Sequence, residues 1–124
     1  MGDERRMKLR VYQYSNCGTC RKALKLLSAR GIDFVAVPIR ETPPTKAELR
    51  QMLDLYGGNV KKLFNTSSKD YRALNLGERL RTLDPDAAIE LLSSHGNLVK
   101  RPFVLSKNGG AVGFDEGEWD RLLG

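Results

Sequence analysis

The chain of 124 residues has the length of one domain. Its hydrophobic fraction of 40% and charged fraction of 29% describe a soluble globular protein, and no apolar run is long enough to span a membrane. The 21 Lys and Arg against 15 Asp and Glu give a formal charge of +6, which favours anionic ligands or partners, but the basic residues are scattered and direct DNA binding is not expected.

Residues 1–7 (Met1-Gly-Asp-Glu-Arg-Arg-Met7) are polar and lack the apolar core of a secretion signal. They read as a disordered leader to a single domain over residues 8–124, and the expected compartment is the cytoplasm. Leu9-Arg-Val-Tyr-Gln-Tyr14 alternates, with β-branched and aromatic residues, and predicts a strand. Ser15 and Asn16 are helix N-cap types, and a helix is predicted from about Cys17 to Arg30, stopped by Gly31. Ala23, Leu24 and Leu27 share its apolar face with Cys20. Ile32 to Ile39 predicts a second strand, apolar enough to be central, and completes a parallel β-α-β unit.

Thr45-Lys-Ala-Glu48 has the capping-box pattern and opens a helix to about Tyr56, ended by Gly57-Gly58. From Asn59 to His95 the pattern stays helical. A short helix follows Ser67 or Ser68, and another starts at Asp84-Pro85 with Ala88, Leu91 and Leu92 facing inward. Phe103–Ser106 and Ala111–Phe114 predict a hairpin about Lys107-Asn-Gly-Gly110, and Asp115 and Glu118 cap a last helix to Leu123. The predicted class is α/β: a thioredoxin-like fold, β-α-β … β-β-α, with a helical insertion over about residues 45–95.

The chemistry centres on Cys17 and Cys20. Thiolates rather than thiols attack disulfides and oxyanions. A helix N-terminus offers free N–H groups and the positive end of the dipole, so Cys17 at that mouth is expected to have a lowered pKa, with Arg21 and Lys22 acting in the same direction. Cys20, one turn inside, suits a resolving thiol. Helical neighbours three apart hold their Cβ atoms about 5–6 Å apart, whereas a disulfide wants roughly 3.5–4.5 Å. A bridge between them would tighten the first turn and be reducible, as a cycling site requires. Structural zinc needs four ligands, and His95 is the single histidine beside two cysteines, so no metal site is expected.

Lys100-Arg101-Pro102 stands before the third predicted strand, where thioredoxin folds place a cis-proline against the redox cysteine, so Pro102 is expected to be cis. Tyr14-Ser-Asn-Cys-Gly-Thr-Cys-Arg-Lys-Ala23 resembles the active-site segment of the arsenate reductase-like family, which includes glutaredoxin-coupled arsenate reductases and Spx/MgsR-type regulators. Leu63-Phe-Asn-Thr-Ser-Ser-Lys-Asp-Tyr71, Leu98-Val-Lys-Arg-Pro-Phe103 and Val112-Gly-Phe-Asp-Glu-Gly-Glu-Trp119 match later blocks in order, so the resemblance spans nearly the whole chain from Lys8.

The resemblance implies Cys17 as nucleophile and Arg101 as the anion-binding arginine. A guanidinium pairs bidentately with oxyanions and helps hold a thiolate. The loop Asn16-Cys-Gly-Thr19 presents successive N–H groups to the same anion, which adds Asn16, Gly18 and Thr19 to the binding set. Two features depart from the family pattern. Ser67 stands where many members carry a second arginine; it donates a hydrogen bond but neutralises no charge, which counts against efficient arsenate turnover. Cys20 resembles the Spx-like branch and permits an internal disulfide.

The leading functional expectation is a thiol-dependent oxidoreductase acting on a disulfide or an arsenate-like oxyanion. No bound cofactor is expected; glutathione is the candidate external reductant and the glutaredoxin or thioredoxin system the partner. The alternative is an Spx/MgsR-type regulator that binds the RNA polymerase α subunit near a loop equivalent to Leu55-Tyr-Gly-Gly-Asn59. The lack of a basic C-terminal extension after the last helix counts against it. A monomer is the default expectation.

Overall fold

The computed structural model describes residues 9–14, 16–106 and 109–123. The predicted leader, Ser15 as an N-cap and the Lys107-Asn108 part of the hairpin turn lie outside the described residues. The elements run β1 (Leu9–Gln13), α1 (Gly18–Ala29), β2 (Phe34–Pro38), α2 (Lys46–Leu55), a 3-10 turn (Val60–Leu63), α3 (Lys69–Ala73), α4 (Leu76–Arg79), α5 (Pro85–Ser94), a 3-10 turn (Gly96–Leu98), β3 (Phe103–Ser106), β4 (Gly109–Val112) and α6 (Glu116–Leu123). They fall into two compact units, one up to Pro38 and from Arg101 onward, the other Ile39–Lys100. No helix among the described residues is long and apolar enough to cross a membrane.

The first unit holds a four-stranded sheet in the order β2-β1-β3-β4. β1 pairs β2 in parallel, as the β-α-β reading requires, and β3 antiparallel; β3 and β4 are antiparallel neighbours. Val11, Val104 and Ala111 form one row across the sheet. That row, with Leu9, packs against Ala23 and Leu27 of α1 and Trp119 of α6, all buried. Trp119 sits edge-on to Phe114 and donates its indole N–H to the Gly113 carbonyl at 3.0 Å. This gives the buried indole the hydrogen-bond partner it needs.

Three sequence expectations change here. The second strand is Phe34–Pro38, shorter than Ile32 to Ile39, and it is an edge strand, not a central one. Its apolarity reflects partial burial of Phe34 and Val37, while Val35, Ala36 and Pro38 are exposed. Pro38 lacks an N–H for a second neighbour, which suits an edge. The fourth strand is Gly109–Val112, not Ala111–Phe114. Gly113 still donates to the Pro102 carbonyl, but it takes a φ of 74°, a conformation glycine adopts without strain, and Pro102 has no N–H to return the bond, so the ladder ends at Val112. Helix α1 begins at Gly18, with Cys17 rather than Asn16 as its N-cap.

The second unit carries the predicted helices. Thr45 and Glu48 form the capping box, with bonds of 3.1 and 2.9 Å, and the chain leaves α2 through Gly57 and Gly58 at positive φ. Ser68 caps α3 through the Tyr71 N–H, and Asp84 caps α5 ahead of Pro85. Helix α5 buries Ala88, Ile89 and Leu92; Leu91, expected inward, is half-buried. Exposed pairs Lys46–Glu90 and Arg50–Asp86 join α2 to α5. Helix α4 carries no predicted counterpart, because Asn75 opens it in the left-handed conformation without a side-chain cap. Gly96 is sterically required: a Cβ there would lie 1.9 Å from the Ile39 carbonyl oxygen.

Candidate active site

The site is built where β1 gives way to α1 and where the chain enters β3, all within the first unit. After Tyr14 the chain turns, the Cys17 N–H donating to the Tyr14 carbonyl at 3.0 Å. Cys17 then takes an extended conformation (φ −95°, ψ 116°) and caps the helix with its own side chain. Its Sγ accepts the backbone N–H of Cys20 at 3.4 Å. The sulfur thus occupies the place a serine or aspartate oxygen takes at other caps, where free N–H groups and the helix dipole favour negative charge.

Both cysteines are free thiols, Cys17 partly exposed and Cys20 fully buried. Burial by itself raises the Cys17 pKa. Hydrogen bonds from the Cys20 thiol and N–H, and from the Arg101 guanidinium with its charge, outweigh it and leave the value lowered from 9.0. Cys20 moves the opposite way, to about 12. Desolvation is the main cause, and the hydrogen bond and charge of Cys17 add to it against a Tyr14 backbone bond and the Arg101 charge. One motif therefore holds one easily ionised thiol and one that keeps its proton.

Arg101 enters from the start of β3, and the Arg101–Pro102 peptide is cis, as the chain order predicts. Pro102 is buried and its carbonyl accepts from Gly113. The guanidinium lies over the Tyr14 ring, 4.9 Å from its centre. Gly18 and Thr19 form the exposed first turn of α1, and Gly18 has open space where a Cβ would stand. Asn16 donates to the Tyr14 hydroxyl at 3.3 Å.

The structure thus brings together Asn16, Cys17, Gly18, Thr19, Cys20, Arg101 and Pro102. Ser67 belongs to the second unit. It is exposed in the Asn65–Ser68 turn, its N–H on the Asn65 side chain at 3.3 Å and its carbonyl accepting from Arg72 at 3.5 Å. Tyr14 is the residue that sequence reasoning gave no role. The signal was indirect: an aromatic three residues before Cys17 becomes meaningful only once β1 is known to pair with β3.

A thioredoxin-like fold with a Cys-x-x-Cys motif at the mouth of its first helix defines the class of protein. Within it, the chain belongs to the ArsC family, whose family model matches residues 12–122. It is similar to the uncharacterized protein YusI of Bacillus subtilis, at 43% identity over 92% of this chain and 97% of that protein. It is also similar to the regulatory protein MgsR of the same organism, at 28% identity over 93% and 90%. An arsenate reductase of Neisseria meningitidis is 30% identical over 86% and 90%. Among solved structures, an ArsC family related protein from Bacteroides fragilis superimposes with a TM-score of 0.86 at 40% identity, covering 94% of this chain and 99% of that one.

Proposed function

We propose that the protein is a thiol-dependent oxidoreductase in which Cys17 attacks and Cys20 resolves. The observation that carries this reading is the Cys17 sulfur acting as helix cap on the Cys20 N–H, with its pKa lowered while that of Cys20 is pushed up to about 12. The Cys17 thiolate attacks one sulfur of a substrate disulfide, forming a mixed disulfide and releasing the other sulfur as a thiolate. Bonding to Cys17 removes the neighbouring thiolate charge that helped to keep Cys20 protonated. Cys20 then gives up its proton to the departing sulfur and attacks Cys17, releasing the second substrate thiol. The substrate disulfide gains two electrons and the protein dithiol becomes a Cys17–Cys20 disulfide. An external thiol reductant of the glutathione, glutaredoxin or thioredoxin class returns it to the dithiol.

An oxyanion of the arsenate type is an alternative substrate for the same thiolate. Arg101 and the N–H groups of Asn16 to Thr19 would hold it, and Ser67 supplies no second charge. Turnover of a model disulfide and of arsenate, with glutathione, glutaredoxin or thioredoxin, tests the reading in wild type and Cys17→Ser. The variant is expected to lose at least a hundred-fold, in line with removal of a nucleophile. Equal rates in the two proteins would overturn the proposal.

The similarity to the regulatory protein MgsR favours a second reading, in which the Cys17–Cys20 pair switches a protein interface. Capture of the RNA polymerase α subunit in only one redox state is its expected sign. Capture in neither state rejects it.

A further inference from the structure

We infer that Tyr14 is the positioning residue of this site, its ring holding the Arg101 guanidinium in the orientation that serves Cys17. The inference rests on the reading above, that the Cys17 thiolate is the reacting group and Arg101 its support. Three independent contacts meet at Tyr14. Its ring lies under the guanidinium at 4.9 Å. Its carbonyl accepts the Cys17 N–H at 3.0 Å, fixing the backbone that delivers the sulfur. Its hydroxyl accepts from Asn16 at 3.3 Å, which tethers the far end of the ring. One residue therefore orders both the cysteine and the arginine.

The sheet register explains why these two side chains meet. Tyr12 pairs with Phe103 in the antiparallel β1–β3 ladder. Continued two residues beyond that pair, the same register sets Tyr14 opposite Arg101. Tyr12 and Phe103 already stack edge-on at 5.7 Å, so the row of aromatic contacts that closes this end of the ladder leads directly to the cation.

Chemistry explains why an aromatic ring, and not a carboxylate, suits this place. Among the described residues no carboxylate forms an ion pair with Arg101. A carboxylate would orient the guanidinium by occupying its N–H fork and cancelling its charge. A ring engages the flat face instead and leaves the in-plane donors and the full charge for a thiolate or a bound anion. An arginine side chain left without either anchor would spread over many rotamers and spend less time at the sulfur.

The test is the pH dependence of Cys17 alkylation by iodoacetamide, with the modified peptide located by mass, in Tyr14→Leu, Tyr14→Phe, Arg101→Ala and the double variant Tyr14→Leu/Arg101→Ala. Circular dichroism confirms that each is folded, and Tyr14→Phe keeps the ring at almost unchanged volume. Tyr14→Leu is expected to slow alkylation at neutral pH about three- to five-fold and to move the profile to higher pH, the size of a cation–π contact at a partly exposed site. Tyr14→Phe is expected to stay within about two-fold of wild type, since phenylalanine preserves the ring face. In the Arg101→Ala background, Tyr14→Leu should cost nothing further. A wild-type profile in Tyr14→Leu, or an undiminished loss in the double variant, would overturn the inference alone, provided Arg101→Ala moves the profile. An Arg101→Ala profile identical to wild type would overturn the inference together with the supporting role assigned to Arg101.

Discussion

The backbone N–H of Cys20 donates to the Cys17 sulfur across 3.4 Å, so the second cysteine of the motif favours negative charge on the first through a group that only a substitution to proline would remove. Its own side chain is fully buried, which pushes its pKa up to about 12, and in the proposed cycle it acts only after Cys17 has reacted.

Cys20→Ser separates these two contributions. The substitution keeps the N–H and puts a hydroxyl donor where the thiol proton was, so most of the reactivity of Cys17 is expected to remain, but it deletes the thiol proposed to resolve the mixed disulfide. Incubation with a model disulfide is expected to leave about one substrate half bound per protein in Cys20→Ser, and little or none in wild type. Intact-protein mass spectrometry reads this directly. Wild type and variant trapping the same amount would remove Cys20 from the mechanism.

Stability should depend on pH through the same residue. The folded protein holds the Cys20 proton up to about pH 12, against an ordinary thiol value of 9.0, so the folded state binds it more tightly than the unfolded chain. That contribution is complete below pH 9 and is lost as pH rises towards 12. Cys17 has the opposite sign: its lowered value adds stability that is complete above the ordinary thiol range and disappears as pH falls through the folded value. The urea midpoint of wild type relative to Cys20→Ala is therefore expected to decline between pH 8 and pH 11. A constant difference would contradict the raised value.

Gly96→Ala tests the packing of the second unit. The added Cβ would meet the Ile39 carbonyl oxygen and carbon at 1.9 and 2.8 Å, both backbone atoms that cannot rotate away. A loss of about 3 kcal/mol is expected, at the upper end of overpacking effects. Chemical denaturation followed by circular dichroism measures it. Gly18→Ala, with open space around the new methyl, is the control and should change stability little.

Trp119→Phe removes the donor to the Gly113 carbonyl and opens space in the core beneath the sheet, where the indole is fully buried. The unpaired carbonyl and the lost volume together should cost about 2–4 kcal/mol. The thermal midpoint by circular dichroism is the readout. Exposed Arg30→Ala, which breaks the 2.6 Å pair with Asp120, should cost less than about 1 kcal/mol.

The residues show why some of this was legible beforehand. The capping box at Thr45 and Glu48, the caps at Ser68 and Asp84, and the strand Phe103–Ser106 depend on groups within a few positions of one another, and each stands where the sequence predicts it. The Cys-x-x-Cys spacing likewise carries its own chemistry, because a helix start is a local structure with a fixed electrostatic sense. The chain by itself thus determined the order of the strands and of every helix but α4, the pair of thiols and the asymmetry between them.

What only the tertiary structure decided is which strand lies at the edge, which glycine admits no side chain, and what stands opposite Arg101. These depend on pairing between distant segments. Apolarity alone does not tell β2 with one neighbour from a strand with two, and the contact of Gly96 with Ile39 leaves no periodic trace. Tyr14 and Arg101 meet because an antiparallel register carries them to the same end of β1 and β3. Burial of the matching side chains of both strands sets that register, and no tight turn joins β1 to β3 to signal it locally.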